Sequence, residues 1–352
     1  MFTLLDSIVI GGGQAGLASA YYLQKSGLTF KVLESGMHPT GSWPYYYDSL
    51  TLFSPARYSS LPGLKFPGKA GQYPERDEVI TYLRKYADTF KFPIAYNHAV
   101  KEVQRIEEGF EVKTVSDQIF FAKTVISATG SFRHPHVPLL PGIEQFNGST
   151  SHSSNYQNPN PFVNKRIVVV GRGNSAVQIA IELAEYAQVT LAVQQPIQFK
   201  PQKFLGLDLH FWLKASGIDF FPFHKIGRTP PGAAAVLDSG YYRRKIAAGM
   251  PDQKPMFLSF YQEGVVWPNE QKEPIDHVIW ATGYRPNMAY LKKLGALDSL
   301  GSPIHRTGIS STVKGLYYVG LANQRSFASA TIRGAGRDAK YVVQHLQTSR
   351  KV

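Results

Sequence analysis

Twice in 352 residues an apolar run ends in a glycine-rich turn that opens directly into a helical pattern, and this repeated device leaves few folds open. The first copy is Asp6-Ser-Ile-Val-Ile-Gly-Gly-Gly-Gln-Ala-Gly16, followed by an amphipathic stretch over residues 17–25, with Gly27 placed for a helix C-terminus. A β-rich run over 29–33 then ends at Glu34. This reads as a strand–helix–strand unit carrying Gly11, Gly13 and Gly16 in the spacing G-x-G-x-x-G. The first glycine makes the tight turn, the second lets backbone approach a pyrophosphate, and the third lets helix and strand pack closely. Free N–H groups at the start of the helix complete an anion site. Glu34 stands where a carboxylate accepts ribose hydroxyls.

The second copy is Arg166-Ile-Val-Val-Val-Gly171-Arg-Gly-Asn-Ser-Ala176, with a helical pattern over 177–187 and a strand over 189–193. The interval from Gly171 to Gln194 equals that from Gly11 to Glu34. The ribose-reading position is therefore neutral: Gln194, with Gln195 beside it, is neither the acid that favours NADH nor the arginine that grips the extra phosphate of NADPH. Weak discrimination between the two coenzymes is expected, with Arg172, Lys200 or Lys203 able to tilt it towards NADPH.

Two dinucleotide sites in one chain imply two dinucleotides that meet, most economically FAD and NADPH or NADH. Two apolar strands end alike, at Ala128-Thr-Gly130 and at Ala281-Thr-Gly283, and each marks a crossing between units. Strands over 99–106, 109–115 and 118–122 read as a meander. A strand over 315–320 and a helix over 330–347 close the chain. The expected fold class is α/β, with two Rossmann-like three-layer units, the second inserted in the first. Residues 1–160 and 276–352 would bind FAD and residues 161–275 would bind NAD(P)H.

Composition narrows the chemistry. There is no cysteine, which excludes disulfide scaffolds, iron–sulfur clusters and dithiol electron transfer. The ten histidines are scattered, and neither a metal-ligand cluster nor a Ser/His/Asp arrangement is apparent. The net charge of +13 gathers beyond residue 283 as isolated lysines and arginines. That suits a field attracting anionic cofactors rather than a nucleic-acid arm. No apolar run approaches the length of a membrane span, and the first strand begins too early for a signal peptide. A cytoplasmic protein without an integral membrane segment is expected, with a homodimer as the base-rate assembly.

Between the glycine turns lies Phe146-Asn-Gly148-Ser-Thr-Ser-His152-Ser-Ser-Asn-Tyr156. It matches the pattern FxGxxxHxxxY, and with Gly41-Ser-Trp43, Tyr73-Pro74 and Ala281-Thr-Gly-Tyr284 the chain resembles the flavin-containing monooxygenases, relatives of the Baeyer–Villiger monooxygenases. Its length is closest to the compact bacterial members. The resemblance implies that NAD(P)H reduces FAD, and that a flavin hydroperoxide then oxygenates a small apolar sulfide, amine or ketone with dioxygen as co-substrate. It carries FAD binding to Gly11, Gly13, Gln14, Ala15, Gly16, Glu34, Trp43, Leu52, Val100, Ala128, Thr129, Gly130 and Thr331. NAD(P)H would fall to Gly171, Arg172, Gly173, Asn174, Ser175, Gln194, Gln195, Thr282 and Gly283. His152 would be a structural residue of the linker.

Two departures stand out. Phe53, followed by Ser54, occupies the flavin-facing position where heteroatom-oxidising members carry an asparagine, so partial loss of oxygen as hydrogen peroxide is expected. No acid or base is assigned there. The aspartate that often follows the last glycine of the 315–320 strand is absent, leaving Asn323 or backbone near Thr331 to replace it. A non-oxygenating NAD(P)H oxidase and a flavin-binding sensor stay open as rivals. Residues 196–255, where the resemblance is weakest, are expected to be an insertion of uncertain order.

Overall fold

Residues Leu4–Ile10 form strand β1, whose last four side chains are buried. They alternate between two cores: Val9 joins the one beneath the helices, and Ile8 and Ile10 the opposite one. That alternation is what a sheet covered on both faces requires. The computed structural model describes residues 3–349 apart from 131, 133, 224–234 and 287. Helix α1 (Gln14–Lys25) starts three residues earlier than its hydrophobic pattern suggests, because Gly13 is its N-cap. It ends at Gly27, whose φ of +66° gives the left-handed stop.

Strands β2 (Phe30–Leu33) and β3 (Ile94–Ala95) run parallel to β1 on one side. The meander strands β4 (Val100–Ile106) and β5 (Gly109–Thr114) lead into β6 (Ile119–Ser127). The sequence suggested two strands over 118–130, but β6 is a single strand serving two neighbours. It is antiparallel to β5 over residues 119–122 and parallel to β1 over 121–127. Leu316–Tyr318 adds the next parallel strand. The parallel order is thus Leu316–Tyr318, β6, β1, β2, β3. The connection reverses between β1 and β6, where such sheets bind ligands at their carboxyl ends. Helix α2 (Arg76–Phe90) is capped by reciprocal Glu75 and Glu78 hydrogen bonds. It lays Tyr82 and Tyr86 into the core shared with α1 and the C-terminal helix Ile332–Ser349.

The second sheet repeats the plan around Arg166–Val170. Its order is Asp252–Pro255, Gln188–Val193, Arg166–Val170, His277–Trp280, Ser149–His152, with every pairing parallel. Ile167 and Val169 face helix α3 (Asn174–Leu183), which stops four residues short of its expected end. Val168 and Val170 face an aromatic layer of Phe257, Phe260, Trp267 and Trp280. Sheet pairing carries this unit beyond residues 161–275. The buried strand Arg166–Val170 needs ladder partners on both sides, and His277–Trp280 supplies one of them.

The two crossings between sheets are joined. His134–Pro135, just after Ala128-Thr-Gly130, pairs antiparallel with Tyr284–Arg285, just after Ala281-Thr-Gly283. The region 196–255 is ordered where described. It contributes a hairpin at 203–208, a helix at Leu209–Ala215, a helix at Tyr241–Ala247 and the edge strand Asp252–Pro255. Of Pro230-Pro-Gly-Ala-Ala-Ala, residues 230–234 lie outside the described residues. Among those described, no helix is long and apolar enough to cross a membrane.

Candidate functional site

A cavity of about 350 Å³ opens at the carboxyl ends of β1, β2 and β6. Nine of the expected residues line it: Gly11, Gly13, Gln14, Ala15, Glu34, Val100, Ala128, Thr129 and Gly130. The glycines are there for want of space. A Cβ on Gly16 would lie 1.8 Å from the Gly11 carbonyl oxygen, and one on Gly11, at φ +102°, 2.8 Å from that of Ala128. Gly13 faces Gly41, whose Cα would stand 3.3 Å from a new Cβ. Gly16 thus acts from behind the cavity, through packing rather than contact.

Glu34 is buried, 4% exposed, and its carboxylate is already organised. Oε2 accepts from the Gly12 N–H at 2.6 Å, and Oε1 from the Gly36 N–H at 2.7 Å and the Ser35 hydroxyl at 3.1 Å. Fixed in this way, it presents its remaining lone pairs at the cavity edge, as a ribose diol would require. Gln14 bridges the rim. Its Nε2 donates to the Ala330 carbonyl at 3.0 Å, while its Oε1 accepts from Trp43 Nε1 at 2.6 Å. Ala330 itself lines the cavity with φ +69°, a conformation alanine seldom adopts. A cradle without room for a Cβ, a dipole-positive helix start and a clamped carboxylate are the groups a dinucleotide such as FAD needs, and they fit it.

The other expected FAD contacts stand beside the cavity, not in its wall. Trp43 reaches it through Gln14, Leu52 packs into the core beneath α1, and Thr331 follows Ala330 with its hydroxyl on the Ala328 carbonyl. Asn323 occupies an exposed turn, and Gly320 and Ala330 are the lining residues nearby. Sequence reasoning missed Tyr290 and His98. The Tyr290 hydroxyl lies 2.7 Å from Ser127 Oγ and 3.2 Å from Thr129 Oγ1, and burial raises its pKa. His98 is held between the Tyr96 carbonyl and Gln118. Neither lies in a motif, so only the folded chain brings them in.

Phe53 and Ser54 are also outside the cavity wall. Ser54 is turned inward, its hydroxyl 2.9 Å from Ser59 Oγ. The Phe53 and Tyr58 rings both stack on His210. His210 is only 1% exposed. Its Nδ1 lies 2.8 Å from Asp208 Oδ1, and Asp208 Oδ2 accepts from the Tyr73 hydroxyl at 2.5 Å. These hydrogen bonds outweigh burial and hold the Asp208 carboxyl below its usual range. Further along, Arg333 in the first turn of the C-terminal helix forms a two-pronged pair with buried Asp219, at 2.9 and 2.8 Å. Two acids of the region 196–255 therefore pin it to the first unit at separate points.

The second glycine turn has the same skeleton and a different finish. A Cβ on Gly171, at φ +144°, would lie 2.4 Å from the Ala281 carbonyl oxygen, just as Gly11 meets Ala128. Both Ala-Thr-Gly segments thus press their first carbonyl onto a glycine turn. Gly173 has open space around its missing side chain, Arg172, Asn174 and Ser175 are half-buried, and Gln194, Gln195 and Gly283 are exposed. The Thr282 hydroxyl donates to the His136 carbonyl, tying down the ribbon between units.

The linker fingerprint has structural causes. Phe146 lies so close over Gly148 that a Cβ there would be 2.3 Å from its ring. Tyr156, fully buried, donates to Glu182 at 2.7 Å. His152 Nε2 donates to the Gly283 carbonyl at 2.9 Å, and Nδ1 accepts from the Ser154 N–H at 3.1 Å. Burial lowers its pKa, so both nitrogens serve the linker in the neutral ring.

Comparison with known proteins agrees with this architecture. Residues 8–215 match the family described as pyridine nucleotide-disulphide oxidoreductase. The uncharacterized oxidoreductase CzcO-like protein of Geobacillus kaustophilus is 34% identical, the match covering 97% of this chain and 98% of that one. The indole-3-pyruvate monooxygenase YUCCA1 of Oryza sativa subsp. japonica is 28% identical, covering 97% and 91%. A flavin-containing monooxygenase from Stenotrophomonas maltophilia superposes with a TM-score of 0.87 at 30% identity, covering 99% of both chains. Cyclohexanone monooxygenase shares the fold at a TM-score of 0.74 and 16% identity. With two dinucleotide cradles and no cysteine to pass electrons to a disulfide, the chain belongs, within that broad oxidoreductase family, to the flavin-containing monooxygenases.

Proposed function

We propose that this enzyme takes two electrons from NADH or NADPH and transfers one atom of dioxygen to a small apolar sulfide, amine or ketone, the other atom leaving as water. The contrast between the two glycine turns carries the reading. One is enclosed and carries a clamped acid, as a resident FAD requires. The other is open and ends in neutral Gln194 and Gln195, as an exchangeable coenzyme requires. Bound FAD supplies hydride acceptance and oxygen activation. The chain's residues supply binding and orientation. Gly11, Gly13 and Ala15 approach the pyrophosphate, Glu34 the ribose and Val100 the adenine, while Gly171, Gly173, Asn174, Ser175 and Gln194 receive the coenzyme. Neutral Gln194 accepts either coenzyme, since it neither repels nor grips the extra phosphate.

An NAD(P)H oxidase is the second reading. It is favoured by Phe53 stacked on His210 and Ser54 bonded to Ser59, which leave no amide at that position to hold an oxygenated flavin. The FAD-loaded protein, reduced anaerobically with each coenzyme and then mixed with oxygen, separates the two. A transient oxygenated-flavin absorbance whose decay quickens with added sulfide or ketone supports oxygenation. Reoxidation without that absorbance, with hydrogen peroxide matching the coenzyme consumed, supports the oxidase.

A further inference from the structure

Residues 203–208 form a two-residue hairpin, Lys203 pairing with Asp208 and Phe204 with Leu207. Both turn residues have positive φ, Leu205 at +49° and Gly206 at +74°. Such a turn favours Asn-Gly, and a leucine in its first position is strained. This leucine is also 75% exposed. Nothing among the described residues repays either cost, and a strained residue at an exposed tip is a pointer to function.

The surroundings give the pointer a direction. Phe204, Leu207 and Phe211 are exposed beside the tip, at 54%, 43% and 39%. Trp212 braces them from below, its Nε1 donating to the Phe204 carbonyl at 2.9 Å. In the sequence Asp208 and Asp219 break up this apolar run. In the structure both acids turn inward, Asp208 to Tyr73 and His210 and Asp219 to Arg333. Of the exposed charges left among the described residues of this stretch, Lys214 reaches back over the Tyr58 ring at 5.9 Å, and Lys203 stands at the base of the tip. The tip is therefore apolar, with one exposed cation, Lys203, at its base.

We propose that this hairpin tip is an interfacial anchor that seats the enzyme on an anionic lipid surface, with Leu205 and Phe204 entering the acyl boundary and Lys203 facing the headgroups. An exposed apolar tip with a cation at its base suits a bilayer surface better than a flat protein face. The inference is independent of which reaction the enzyme performs.

The test is sedimentation of the FAD-loaded protein with vesicles of phosphatidylcholine alone and of phosphatidylcholine mixed with phosphatidylglycerol. Binding is expected to the mixed vesicles, to weaken with salt, and to fall roughly fivefold in Lys203→Gln, since each cation near an anionic surface contributes about that factor. Leu205→Asn separates anchoring from folding. It relieves the turn, so thermal stability is expected to hold or rise while vesicle binding is lost. Two results overturn the proposal: no binding to the mixed vesicles, or a concentration-dependent dimer in solution that Leu205→Asn dissolves, which would make the tip a contact between copies of this chain.

Discussion

The two glycine turns differ where their skeletons no longer dictate the outcome. Both press a first glycine against the carbonyl of an Ala-Thr-Gly segment. Beyond that, the first turn is closed on every side. Gly16 abuts Gly11, Gly13 abuts Gly41, and Glu34 is sewn to the loop by two backbone N–H groups. In the second, position 176 tolerates alanine, Gly173 faces open space and Gln194 lies exposed. On the function proposed above, the difference suits a shared motif to residence in one copy and to exchange in the other. Gly16→Ala probes the closed side most severely, because the new methyl would overlap the Gly11 carbonyl. Overpacking of this kind costs about 1–3 kcal/mol or more, and near-complete loss of bound flavin is expected from the absorbance ratio of the purified protein. The reciprocal Ala176→Gly should keep its flavin and lose only about 1 kcal/mol of stability from the helix. Equal loss of flavin in both would break the contrast.

Moving one position sharpens the comparison. Gly13→Ala puts a methyl 3.3 Å from Gly41, inside the cavity wall, and flavin affinity should fall about tenfold or more, equivalent to roughly 1.4 kcal/mol. Gly173→Ala meets no protein atom. Its flavin content should be unchanged while the KM for coenzyme rises, because only the incoming pyrophosphate needs that space. Gln194→Glu transplants the acid of the first site into the second. A carboxylate disfavours the extra phosphate, so kcat/KM with NADPH should fall about tenfold while NADH is little affected. A variant that treats both coenzymes alike would remove Gln194 from the coenzyme site.

The motif-bearing part of this architecture was legible in sequence because glycine spacing reports backbone sterics directly. Gly11, Gly171 and the two Ala-Thr-Gly segments are local statements of where backbone must touch backbone. Glu34 was legible because one strand and one helix fix its distance from Gly11. Tyr290 and His98 were not, since each reaches the cavity through long-range packing that leaves no periodic trace. The boundaries of α1 and α3 shifted for a related reason. Gly13 and Gly173 are caps, so each helix begins at its turn rather than at its first apolar residue. The partners of Asp208 and Asp219 were hidden for the same reason as Tyr290 and His98, since Tyr73 and Arg333 meet these acids only through the fold.

The smallest expected contrast between the two halves lies in acid. His277, on the second sheet, is pressed between Ser149 and Ser151, and burial lowers its pKa from 6.5 to about 4. The unfolded chain therefore takes up a proton that the folded sheet refuses. Stability present above pH 6.5 is lost as pH falls towards 4, by a loss on the order of 3 kcal/mol. Asp338, on the C-terminal helix of the first unit, has the opposite sign. Its carboxyl is 2% exposed, and burial outweighs Arg325, raising its pKa from 3.8 to about 6. The folded form there binds the proton first, so this half gains stability as pH falls from 6 towards 3.8. Acidification from neutrality to about pH 5 should thus loosen the second sheet before the first. Calorimetry of the FAD-loaded protein should show the transition broadening or splitting over that range. His277→Gln should flatten the acid loss, and Asp338→Asn should remove the opposing gain. An unchanged pH slope in His277→Gln would show that some other group makes the second sheet acid-sensitive.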